Sequence, residues 1–66
     1  MTSEQFCNWL ADMQSAGLCT SDAHAGRMLG VGPHTIVNLK KRGADRRTAL
    51  ACRALLHRMT PYGEKT

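Results

Sequence analysis

The stretch Ala25-Gly26-Arg27-Met28-Leu29-Gly30-Val31-Gly32-Pro33-His34-Thr35-Ile36-Val37-Asn38-Leu39-Lys40 decides how this chain folds. Ala25, Met28 and Leu29 recur at helical spacing, and Gly30 stops that helix because glycine takes a positive φ at no steric cost. Pro33 then suits the first position of a new helix, where its missing N–H is no loss and its fixed φ is already helical. Ile36, Val37 and Leu39 carry the apolar pattern of this second helix. Only Gly30-Val31-Gly32 joins the two, so the chain must turn sharply, with Val31 pointing back between the helices.

Working outward, the N-terminal side reads as one more helix. Thr2 or Ser3 is its N-cap, Thr2-x-x-Gln5 fits a capping box, and Glu4 suits the positive end of the helix dipole. Phe6, Trp9, Leu10 and Met13 form its apolar stripe, and Gly17 is its natural stop, which bounds it at about Ser3–Ala16. Thr20 or Ser21 caps the next helix, with Asp22 in its first turn. On the other side Gly43 closes the helix begun at Pro33, after the cationic run Lys40-Lys41-Arg42. Asp45 caps a last helix from Arg46 to about Met59, whose Leu50, Ala51, Ala54, Leu55, Leu56 and Met59 form a wide stripe that Thr60-Pro61 ends. No stretch alternates at period two long enough for a strand. The expectation is an all-α fold: a compact bundle of four, or five, short helices in one domain over 1–66, with a tail at 60–66.

Composition narrows the function classes. Sixty-six residues hold one small core and exclude a multi-layer α/β enzyme with a buried cleft. A core this small is commonly supplemented, and self-association is the expected supplement. No apolar run approaches the roughly 20 residues needed to span a bilayer, and Met1-Thr2-Ser3-Glu4-Gln5 lacks the basic and apolar regions of a signal peptide, so a cytoplasmic location is expected. In that reducing setting Cys7, Cys19 and Cys52 read as free, partly buried apolar residues. Charge is segregated: residues 1–26 carry three acids and no base, whereas 27–58 carry eight bases and one acid, within a total of +4. A one-sided basic stretch is the footprint of a polyanion binder, although solvated surfaces are also rich in Lys and Arg.

A tight glycine turn between two short helices is the helix-turn-helix arrangement, here over 21–42. Residues 25–40 resemble its form in the Cro/C1-type phage and bacterial repressors: a small residue in the first helix (Gly26, or Ala25), Leu29-Gly30-Val31 at the turn, then branched Ile36 and apolar Leu39. Gly26 stands where the family usually has alanine, and Lys40-Lys41-Arg42-Gly43 is more basic than in many relatives, which carry a glutamate before their glycine. The chain length and the ending Arg58-Met59-Thr60-Pro61-Tyr62-Gly63 resemble very small phage autorepressors, the anti-CRISPR-associated regulators among them. The resemblance implies a lambda-repressor-like bundle and a dimeric repressor of transcription that binds double-stranded DNA at an inverted-repeat operator.

In that arrangement the helix from Pro33 enters the major groove, and Pro33, His34, Thr35 and Asn38 face the base edges. Asn38 is the first choice for readout because its amide pairs bidentately with adenine N6 and N7. Arg27, Lys40, Lys41, Arg42, Arg46 and Arg47 are the candidate phosphate contacts, while Arg53 and Arg58 read as ordinary solvated residues inside the last helix. The last helix's stripe, with Trp9 or Tyr62 as aromatic anchor, is the candidate dimer surface; Trp9 reads equally as monomer core.

Rival readings have less behind them. Cys19 and His24, like Cys52 and His57, are five apart, a poor spacing for zinc, and no cofactor or small-molecule substrate is implied. A Cys–His nucleophile lacks an accompanying motif, so an enzyme is not expected. One Phe, one Trp and one Tyr make no stacking platform for RNA. A protein-binding adaptor or antitoxin on the same helical fold is the alternative.

Overall fold

A computed structural model describes residues 1–64 of the chain. Four helices follow one another: α1 (Ser3–Ser15), α2 (Asp22–Leu29), α3 (Pro33–Arg42) and α4 (Arg46–Leu56), with no strand among the described residues. α1 packs on α3 and α4, and α2 packs on the same two, giving a bundle with a Cα radius of gyration of 11.0 Å.

Local chemistry sets each start. Thr2 closes the capping box on α1: Gln5 N donates to Thr2 Oγ1 (3.1 Å) and Thr2 N donates to Gln5 Oε1 (2.8 Å). Ser21, not Thr20, caps α2 by accepting from His24 N at 3.1 Å, and Asp45 caps α4 by accepting from Thr48 N at 2.9 Å. Thr20 is turned elsewhere, its N–H donating to His24 Nδ1 (3.1 Å). Pro33 opens α3 behind an N-cap, Gly32, that offers no side-chain bond.

The ends are equally specific. Leu18 N reaches Met13 O (2.9 Å) and Val31 N reaches Gly26 O (2.9 Å), the six-to-one bonds of Schellman turns that finish α1 and α2. α4 uses the same device three residues earlier than expected: Met59 N donates to Ala54 O at 2.9 Å, and Arg58 takes the left-handed conformation (φ 61°) that glycine holds in the other two. Arg58 therefore lies outside the helix, and the expected boundaries at Met59 and residue 60 move back to Leu56 and His57. Lys65 and Thr66, the last of the tail expected over 60–66, lie outside the described residues.

The core is Phe6, Trp9, Leu10 and Met13 from α1, joined by Cys19, Ala25, Ile36 and Cys52. Phe6 and Trp9 pack at 5.5 Å between ring centroids, and Trp9 Nε1 donates to Cys52 O at 2.8 Å inside the core. Trp9 is only 5 % exposed and so serves the monomer, which removes it as an anchor for a second copy. Burial pushes the Cys52 thiol up to about 11 and raises that of Cys19 as well. Cys7 departs from the expected burial: it is exposed on α1, its thiol directed at Lys40 O at 3.9 Å.

Two close approaches fix α3. A Cβ on Gly26 would stand 3.1 Å from Ile36 Cγ1 and 3.2 Å from Val31 O, so glycine lets α2 lie tightly against α3 and its own turn. At the far end, Ala44 N donates to Met1 O (2.8 Å) and Met1 N donates to Ala44 O (3.2 Å). Gly43 (φ 90°) runs beside this pair, where any Cβ would sit on the Met1 carbonyl oxygen.

Candidate functional site

The phase of α3 follows from its buried side. Ile36 is 2 % exposed and Leu39 is half-buried, which turns that edge toward α1 and α2. At about 100° per residue, the opposite edge carries His34, Val37, Asn38 and Lys41. All four are exposed, as are Pro33 and Thr35 at the start of the helix. The four side chains singled out for base contact, Pro33, His34, Thr35 and Asn38, are therefore open to solvent on one element, uncovered by the rest of the described chain.

Val37 departs from the apolar pattern that the sequence suggests for this helix. Grouped by type with Ile36 and Leu39, it reads as core; grouped by angle, it lies on the open edge, and it is 47 % exposed. The signal was present in the spacing, since it follows Ile36 by one residue and precedes Leu39 by two. An exposed branched side chain between His34 and Lys41 gives that edge an apolar centre.

The cations divide by what explains them. Lys40, Lys41 and Arg42 occupy the last turn of α3, where the negative end of the helix dipole favours positive charge whatever their function. Arg46 and Arg47 occupy the first turn of α4, the positive end, where helix stability gains nothing from them. Asp45 offsets them only in part: Arg47 Nε is 3.7 Å from its Oδ2, and Arg47 is almost fully exposed. Hydrogen bonding to Thr48, with Arg47 nearby, holds the Asp45 carboxyl below its ordinary value. Arg27, Lys41, Arg42 and Arg46 are exposed with no ion pair to an acid among the described residues.

Lys40 differs from the other candidate phosphate contacts. Its Nζ lies 2.8 Å from Asp22 Oδ2, an ion pair joining the end of α3 to the start of α2, and that bond raises the lysine above its ordinary value. The sequence separation of 18 explains why no local pattern announces it.

A second surface lies elsewhere. An open groove of about 200 Å³ runs between α2 and α4, lined by Met28, Leu29, Ala51, Ala54, Leu55 and Met59 with Thr60 and Pro61. Leu50 (60 % exposed), Met59 (62 %) and Tyr62 stand in solvent. The stripe expected on α4 thus splits: Cys52 is buried, Ala51, Ala54, Leu55 and Leu56 are half-buried, and Leu50 points away from the core. No group of three or more His, Cys, Asp or Glu side chains is placed to hold a metal among the described residues, and no described helix is long and apolar enough to cross a membrane.

Set against protein-family models, curated proteins and solved structures, the chain has no match.

Proposed function

We propose that this chain is a sequence-specific binder of double-stranded DNA that lays α3 in the major groove. The observation that carries the proposal is the open edge of α3, where His34, Val37, Asn38 and Lys41 face solvent while Ile36 alone of that helix is fully buried. A helix about 10–12 Å across fits a major groove about 12 Å wide, and this edge offers an amide, an imidazole, a branched apolar group and a cation to it. Arg46 and Arg47, placed where the helix dipole does not want them, support phosphate contact beside the groove, and Arg27, Lys41 and Arg42 add to it. The likeness of residues 25–40 to the Cro/C1-type pattern agrees with this reading.

The regulatory outcome proposed is repression: a domain seated on a promoter competes with polymerase by occupancy. One copy reads few base pairs, so two copies on half-sites about 34 Å apart supply the specificity. Exposed Leu50, Met59 and Tyr62 with the α2–α4 groove favour a protein partner, and a second copy fills that role in the proposed repressor.

The test is footprinting on the DNA flanking the gene, alongside sedimentation of the free protein. Protection of an inverted repeat, weakening steeply between about 50 and 200 mM salt, is the expected result. A protein that ignores duplexes even in dilute buffer, or whose binding partner is a protein insensitive to salt, would leave the adaptor reading standing instead.

A further inference from the structure

The Asp22–Lys40 pair sits where a DNA-binding reading of α3 has its most awkward neighbour. Lys40 extends from the edge of α3 next to the open face, and its ammonium is committed to a carboxylate at 2.8 Å. Asp22 in turn occupies the first turn of α2, the positive end of a helix, which attracts anions and here holds one of the chain's own. The two groups are about equally exposed, at 42 % and 43 %. Burial does not force them together, and solvent reaches both. α2 does not need Asp22 as a cap, because Ser21 already accepts from His24 N.

We propose that Asp22 is a built-in phosphate mimic that withholds Lys40 from the DNA backbone and so keeps binding to mixed-sequence DNA weak. The inference rests on the DNA-binding reading and deepens it. With Asp22 in place, the pair is neutral and contributes no released counterion when DNA arrives. With Asp22 neutralised, Lys40 becomes one more phosphate-binding cation. The gain is sequence-independent, so it raises non-specific affinity and narrows the margin by which a preferred site is favoured. Arg27, Lys41 and Arg42 have no such partner among the described residues and provide the contrast.

The experiment uses the full chain and a labelled duplex of mixed sequence, titrated between about 50 and 200 mM salt, with wild type, Asp22→Asn, Lys40→Met and the double variant. Circular dichroism melts confirm that each is folded. Asp22→Asn is expected to bind more tightly than wild type, with a salt slope steeper by about 0.9, so that its advantage grows roughly eightfold per tenfold dilution of salt. Lys40→Met alone, which leaves the Asp22 carboxylate uncompensated, is expected to weaken binding modestly without flattening the salt slope, and in the double variant to cancel the gain. A gain that survives in the double variant shows general repulsion by Asp22 and overturns the withholding of Lys40. An unchanged slope in Asp22→Asn, or a salt slope flattened by Lys40→Met in the wild-type background, overturns it too. A wild type that binds no duplex at all defeats the DNA-binding reading itself, a result distinct from these.

Discussion

α1 and α3 are both short amphipathic helices, yet they are held in opposite ways. α1 buries Phe6, Trp9, Leu10 and Met13, whereas α3 buries Ile36 alone. The difference teaches how so small a domain frees a surface. Because α1 supplies half of the fully buried core, α3 needs one anchor, a half-buried Leu39 and two well-made ends, and the rest of its circumference is available. The charge division follows the same line, with the acidic first 26 residues carrying most of the packing and the basic remainder carrying the open surface.

The sharpest way to break the comparison is Phe6→Ala. Phe6 has no exposed surface, and deleting a buried phenyl ring costs about 3–5 kcal/mol, comparable to the whole stability of a domain this small. Loss of the helical circular dichroism signal at room temperature is the expected result. Asn38→Ala, on the open edge, should instead leave the melting curve within about 0.5 kcal/mol of wild type.

Next in size is Gly43→Ala. It puts a Cβ against the Met1 carbonyl at φ 90° and ψ −176°, a backbone region almost reserved for glycine, where an L residue is strained by roughly 1–3 kcal/mol before the clash is counted. Chemical denaturation should show a loss larger than that strain, whereas substitution of exposed Gly32 meets no neighbouring atom within 4 Å.

The open edge is sharpened by binding measurements. Asn38→Ala should cost about 1–3 kcal/mol on the preferred duplex and relax one base pair. Lys41→Ala should weaken all duplexes alike and flatten the salt slope by about 0.9. Equal losses on preferred and mixed DNA from both would break the assignment of Asn38 to readout.

Smaller effects come from Asp45 and the thiols. The hydrogen bond to Thr48 lowers the Asp45 value in the folded state, so its stabilisation is present above the ordinary carboxylate range and fades as pH falls through the lowered value. Asp45→Asn, which keeps a cap, should flatten that acid-side loss in thermal melts. Cys52 runs the other way: its contribution is complete below the ordinary thiol value of 9.0 and is lost as pH rises through about 11. At neutral pH a thiol reagent should modify Cys7 first, with Cys19 and Cys52 reacting only after unfolding.

Much of the scaffold could be read directly from residues, because its determinants are local. Thr2-x-x-Gln5, Asp45 and Pro33 each act within one turn, as do the glycine stops at Gly17, Gly30 and Gly43. The end of α4 escaped because arginine at 58 adopts a conformation that its side chain does not advertise. On the candidate surface, His34 and Asn38 were legible once Ile36 and Leu39 set the phase, but Val37 was hidden by its residue type. The Asp22–Lys40 pair was out of reach, since only the packing of α2 on α3 brings its members together.

The backbone pair between Met1 and Ala44 has a consequence for association. With the Gly30–Val31 turn at one end and that pair at the other, α3 is clamped as a shaft is by two bearings. In the docking proposed for α3 the partner meets a helix already oriented, and the entropy of aligning it has been given up during folding.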